Sequence, residues 1–300
     1  SLTFTAANWN TAQTITITGA NDAIVDGDIT TTLTAIASNS GGYAGTETAT
    51  TTIKNTDDDS AGITIAQTGS TDGSGNLLTT EAGSTSTFTV VLDAKPTANV
   101  TVSITGADST EHSLSSSSLT FTAANWNTAQ TITVTGVDDN LDDGDIITTL
   151  TATASNTGGY AGTETATTTI KNTDNDSSGI SIAQTGTTDG SGNLLTTEAG
   201  GSSAFSIVLD NEPTANVTVT LTGADSTEHS LSSSSLTFTT ANWDTAQTIT
   251  ITGVDDNLDD GDITTTLTAT ASNTGGFSGS KAVSTIVKNA DNDSSGITIA

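Results

Sequence analysis

The segment SLTFTAANWN that opens at Ser1 returns at Ser118, and again as SLTFTTANWD at Ser235, a spacing of 117 residues each time. Between 1–59 and 118–176 only 10 of 59 aligned positions differ. A period of 117 residues is too long for the coils of a solenoid, which repeat every 20 to 50 residues or so, and has the size of a whole domain. Setting the boundary after the acidic clusters NTDDD, NTDND and NADND divides the chain into complete units at 60–176 and 177–293. On that division 1–59 is the carboxyl-terminal half of a unit, not expected to close a core alone, and 294–300 begins the next one. The sequence therefore reads as an excerpt from a longer array of beads on a string.

Within one unit, apolar residues alternate with Thr and Ser: Ile63 and Ile65; Phe88, Val90 and Leu92; Val100, Val102 and Ile104; Leu119 and Phe121; Ile132 and Val134; Ile146 to Ala154; Gly162 to Lys171. Period two means strands with one buried face. Seven such stretches separated by Gly, Asn, Asp and Ser predict an all-β fold of tandem seven-stranded Greek-key, immunoglobulin-like β-sandwiches. No stretch has helical periodicity. Thr suits these strands because its branched Cβ fits the pleat. Only 32% of residues are hydrophobic and 4% aromatic, so the cores must be thin. Trp126, between two strands in AANWN, is expected to plug the end of the sandwich.

The 34 acidic residues face 5 lysines and no arginine, a net charge of −29. Nucleic acid is therefore excluded as a partner, since phosphate binding needs clustered cations. No apolar run is long enough for a membrane span and no signal peptide lies in this window. The absence of Cys removes thiolate metal sites, disulfides and cysteine nucleophiles. The acids concentrate in loops: Asp138, Asp139, Asp142, Asp143 and Asp145 in GVDDNLDDGD, and Asp174 and Asp176 in NTDND. Such a loop repels itself unless a cation compensates, and calcium, which takes six to eight oxygens, is the natural candidate. Magnesium demands octahedral geometry and keeps its waters, whereas zinc wants His or Cys and each unit offers one His. The alternative is that the acids only keep the chain soluble. The third unit repeats the pattern with Asp255, Asp256, Asp259, Asp260, Asp262, Asp291 and Asp293, and 1–59 supplies Asp22, Asp26, Asp28, Asp57 and Asp59. The first of these loops has lost two carboxylates, with Asn21 for Asp138 and Val25 for Asp142, so weaker metal binding is expected there.

TTEAGSTSTFTVVLD, PTANVTVSITG, SLTFTAANWNTAQTITVTGVDDNLDDGD and TIKNTDND, in this order, resemble the Calx-beta domain, a calcium-binding β-sandwich of sodium/calcium exchangers and of large bacterial surface proteins. The resemblance implies calcium ligands at Glu81, Asp108, Asp138, Asp139, Asp143, Asp174 and Asp176, and in the next unit at Glu198, Asp225, Asp255, Asp256, Asp260, Asp291 and Asp293. Ile146 stands where the family often has a second Glu, and ADSTEHS lacks the aromatic that commonly follows the acid at Asp108.

DGSGN at Asp72 and Asp189 fits a glycine turn better than a calcium loop. His112 and His229 sit beside Glu and Ser without a nucleophile elbow, and no enzymatic activity is expected. Asn99 and Asn216 begin NVT sequons, and Lys171 and Lys288 read as strand-end lysines. The expected function is a structural extender of a bacterial extracellular adhesin or surface filament, with calcium, adjacent repeats and other filament copies as partners. The alternative is an adhesive module that contacts carbohydrate or another filament chain.

Overall fold

The computed structural model describes residues 1–277 and 281–297. Of the residues expected to open a further repeat, 298–300 lie outside the described residues. No helix occurs among the described residues. The amino-terminal segment contributes a hairpin of β1 (Ile29–Ile36) and β2 (Thr48–Asn55). A first sandwich follows, with β3 (Ile63–Gln67), β4 (Leu77–Thr80), β5 (Thr85–Leu92), β6 (Val100–Thr105), β7 (His112–Leu114), β8 (Ser118–Phe121), β9 (Gln130–Gly136), β10 (Ile146–Ala154) and β11 (Thr165–Thr173). One sheet has the order β3-β5-β9-β7 and the other β4-β11-β10-β6-β8.

The seven expected stretches are all strands, and two short ones join them. β4 is a second piece of the opening strand that crosses to the opposite sheet and pairs in parallel with β11, Leu77 opposite Ile170. β7 pairs with the end of β9, His112 opposite Gly136. The closing strand starts at Thr165 rather than Gly162, because Gly162 has φ +79° and its N–H donates to Glu164 Oε2, which keeps it in the preceding turn. The second sandwich repeats the plan with β12 (Ile180–Gln184), β13 (Leu194–Thr197), β14 (Ser202–Leu209), β15 (Val217–Thr222), β16 (His229–Leu231), β17 (Ser235–Phe238), β18 (Gln247–Gly253), β19 (Ile263–Ala271) and β20 (Ala282–Ala290).

Alternation fills each core from both sheets. In β5 the inward residues Phe88, Val90 and Leu92 meet Ile132 and Val134 of β9, facing Leu77, Phe121, Leu150 and Ile170 of the other sheet. The buried cluster of the first sandwich, between Ile63 and Ile170, shares no residue with that of the second, between Ile180 and Val287. Trp126 is partly buried against the first cluster, and its carbonyl accepts a hydrogen bond from Leu92 N. Among the described residues, none covers the apolar face of the hairpin of 1–59 as the opposite sheet covers it in the complete sandwiches. Leu33, the counterpart of fully buried Leu150, is 40% exposed, and Trp9 is 71% exposed.

Separate cores give a direct test. Phe88→Ala removes a fully buried ring and should destabilise the first sandwich by about 3–5 kcal/mol, leaving the second unfolding transition in place. Denaturant unfolding followed by intrinsic fluorescence of Trp126 and Trp243, each retained alone in turn, checks this; equal shifts of both transitions would contradict it.

Candidate metal centre

Each sandwich ends, on the side where the chain leaves it, in a set of carboxylates held by four segments. In the first sandwich, the turn after β4 carries Glu81, the turn before β7 carries Glu111, the β9–β10 loop carries Asp139 and Asp143, and the exit from β11 carries Asp174 and Asp176. They gather as two clusters, Glu81 with Asp174 and Asp176, and Glu111 with Asp139 and Asp143. Within each cluster one oxygen per residue lies within 4.8 Å of the others. The second sandwich has the same pair, Glu198 with Asp291 and Asp293, and Glu228 with Asp256 and Asp260.

The local sequence explains this placement. Gly144, at φ +78°, turns the loop back so that its N–H donates to Asp174 Oδ2 at 2.7 Å. Asp176 N donates to Asp174 Oδ1 at 2.7 Å and Asn175 N to Glu81 Oε2 at 3.0 Å, which folds the exit segment over the end of the sandwich. Buried Asn172, the last inward side chain of β11, accepts from Thr79 Oγ1 at 2.9 Å and donates to Val137 O and Glu111 Oε2. One amide thus ties β4, the acid loop and Glu111 together.

The electrostatics are those of crowded, dehydrated anions. Glu81 and Glu111 are only 3% and 5% exposed. Burial, with Asp174, Asp139 and Asp176 adding repulsion, pushes the Glu81 carboxyl up to about 7 against the opposing N–H of Asn175. Burial also raises Glu111, Asp143 and Asp176, each with neighbouring aspartates contributing. Asp176 Oδ2, and Asp293 Oδ2 in the second sandwich, are buried without a hydrogen-bond partner. Oxygen-only donors with inward-facing spare lone pairs fit a hard divalent cation. Two ligands on opposite sides of calcium, at about 2.3–2.6 Å each, lie roughly 5 Å apart, and the cluster oxygens lie within 4.8 Å of one another, close enough to share one ion.

The other acids named from the sequence lie around the clusters. Asp138 accepts from Asn175 Nδ2 at 3.0 Å, as Asp255 does from Asn292. Asp142 Oδ2 accepts from Ser178 N at 2.7 Å, and this contact, with Lys281 nearby, holds its carboxyl below the usual range; Asp259 accepts likewise from Ser295 N. Asp145 and Asp262 pair with Lys171 and Lys288, which lowers both carboxyls. Asp108 and Asp225 stand outside the clusters, each accepting from the N–H and hydroxyl of Thr110 or Thr227. Their turns deliver Glu111 and Glu228 to the centre instead, through the bonds from Glu111 N and His112 N to Asp108 O. The sequence reading passed over these two glutamates. No local pattern marks them: Glu111 stands alone beside His112, and the burial of that short strand end shows only in the fold.

In 1–59, Asp22, Asp26, Asp57 and Asp59 line a cleft, with Asp57 Oδ2 accepting from Asp26 N and Gly27 N, while Asp28 pairs with Lys54. No glutamate joins them among the described residues, and three-carboxylate clusters occur only in the two sandwiches. DGSGN is a turn, with Asp72 Oδ1 accepting from Ser74 N and Asn76 N. His112 and His229 are buried with both ring nitrogens unpartnered, and burial lowers them towards the neutral form. No helix among the described residues is long and apolar enough to cross a membrane.

No protein-family model matches the chain, and no curated protein sequence matches it. Solved structures similar to it include the CBD12 fragment of CALX1.2, at 16% identity over 68% of this chain and 79% of that one, with a TM-score of 0.28. The calcium binding domain CBD12 of CALX1.1 is 15% identical over 65% and 77%, with a TM-score of 0.27. Protocadherin gamma B2 cadherin domains 1–5 are 14% identical over 91% and 47%, with a TM-score of 0.37. Likenesses of this degree assign no family.

Glu81 has a folded pKa of about 7 against 4.5 unperturbed. Without a cation the folded chain therefore holds the extra proton between those values. This group's contribution is fully present below about 4.5 and is lost as pH rises through 7. In chelator, Glu81→Gln should gain on the wild type by roughly 1–3 kcal/mol between pH 4.5 and pH 8, read by denaturant unfolding at each pH. A difference that does not change with pH would contradict the assignment.

Proposed function

We propose that the carboxylate clusters of each sandwich hold calcium, and that the chain is a non-catalytic structural extender of a bacterial extracellular adhesin or surface filament. The observation that carries this reading is the double use of the exit segment. Asp174 and Asp176 lie just after β11 and belong to the cluster closed by Glu81, which follows β4, the edge strand paired with β11. Only 174–179 separate β11 from β12. Left as free coil, so short a segment would let neighbours swing; held by a cation at its start, it fixes the direction in which the chain departs. An all-oxygen site with three carboxylates from separate segments is of the kind that takes calcium, which is abundant outside cells. Near-copies in series supply length and stiffness rather than a distinctive binding face.

Calcium at about 100 times its dissociation constant should stabilise each occupied sandwich by about 2.7 kcal/mol for one site. The melting temperature should therefore rise with calcium and fall with chelator. Small-angle scattering of the full chain should give a larger maximum dimension with calcium than with chelator, and the Asp174→Ala, Asp176→Ala double variant should stay at the chelator value. Equal melts and equal dimensions in both conditions would rule the reading out.

A further inference from the structure

The loops that carry the acids also touch the following unit, and by the same bonds at both junctions. Ala23 O accepts from Lys95 N at 2.7 Å, and 117 residues on, Asn140 O accepts from Glu212 N at 2.7 Å. Beside these contacts the carbonyl of Val25 faces Gly159, and that of Asp142 faces Gly276, close enough that a Cβ would lie 3.2 and 4.0 Å away. Docking covers the loop tip: Ile24 and Leu141 are partly buried, while their counterpart Leu258, with nothing docked on it, is 62% exposed.

Between 60–176 and 177–293, only two positions reverse their charge: Lys95 becomes Glu212, and Glu164 becomes Lys281. Both lie on the face that receives the preceding loop. Position 95 or 212 makes the docking bond. Glu164 accepts from Ala161 N and Gly162 N beside the Gly159 turn, and Lys281 is within electrostatic reach of Asp142 across the junction. The docking loop changes in step. Where the receiving face carries Glu164, the loop presents Val25; where it carries Lys281, the loop presents Asp142.

We infer that the loop tip and this receiving face form a docking interface matched to the adjacent repeat, with residue 25 or 142 read against residue 164 or 281. The partner is the next repeat of the same chain. An aspartate tip is drawn to a lysine face and repelled by a glutamate face, whereas a valine tip accepts glutamate, so the wrong neighbour is rejected by like charge. This rests on the extender reading and deepens it: near-identical units in series need a device against a loop docking on a repeat other than its neighbour, and the reversal from Glu164 to Lys281 supplies one.

The test uses the full chain, which has no native cysteine. Ser103→Cys and Thr220→Cys place nitroxide labels at equivalent exposed positions of the two sandwiches. Dipolar spectroscopy in saturating calcium should give a narrow distance distribution. Lys281→Glu should broaden it, to roughly twice the original width or more as the linker takes up coil dimensions. Adding Asp142→Val to Lys281→Glu, which recreates the pairing of the first junction, should narrow it again. Circular dichroism checks that every variant keeps its strands, and Lys281→Gln, which removes attraction without adding repulsion, should fall between. An unchanged width for Lys281→Glu, or no recovery in the double variant, overturns the inference. A chelator arm on the unsubstituted pair separates the two readings: an unchanged width there, with Lys281→Glu and its rescue as expected, removes the calcium stiffening and leaves the pairing intact.

Discussion

The end of each sandwich is governed by the burial of like charges. Glu81 and Glu111 sit where water is nearly absent, within a few ångströms of aspartates that the exit segment and the acid loop bring in. Two unit charges 4 Å apart interact by about 4 kcal/mol at an effective dielectric of about 20, so each cluster opposes its own assembly. The chain's own cations do not relieve it. Lys54, Lys171 and Lys288 pair with Asp28, Asp145 and Asp262, which lie outside the three-carboxylate clusters. Neutralisation must come from protons or from a divalent cation, and the raised Glu81 carboxyl is the mark of that competition.

That interaction matters because so much is tied to it. Asn172 joins β4, the acid loop and Glu111, while Asn175 and Asp176 fold the exit segment back onto Glu81 and Asp174. The linker, the two clusters and the loop that docks on the next unit are one hydrogen-bonded network. On the reading proposed above, a change in charge at the clusters reaches the following sandwich through these bonds rather than through the thin apolar core. Buried polar networks of this kind hold a single geometry when satisfied and become costly when they are not.

Much of this could be read from residue order. The alternation at Phe88, Val90 and Leu92, or at Ile132 and Val134, predicts strands because period two has no other common meaning, and the structure agrees. β4 and β7 were harder to see: LLTT and HSL are too short to display a period, and their pairing partners, β11 and β9, are distant in sequence. Asp139, Asp143, Asp174 and Asp176 announced themselves by crowding. Glu111 did not, because it stands alone beside His112 and is brought in by a turn whose first residue, Asp108, spends its side chain on Thr110. Loop composition gives the number of carboxylates; which of them turn inward depends on backbone bonds such as Gly144 N to Asp174, and composition carries no trace of these.

The claim that a cation takes the place of protons at buried carboxylates is tested most directly by calorimetric titration of calcium into the full chain, in buffers of differing ionisation enthalpy. At pH 7, where the Glu81 carboxyl is near half-protonated, binding should release protons and the observed heat should change with the buffer. At about pH 9, two units above that value, the buffer dependence should vanish while binding persists. Absence of binding, or binding with the same buffer-independent heat at both pH values, would contradict the account.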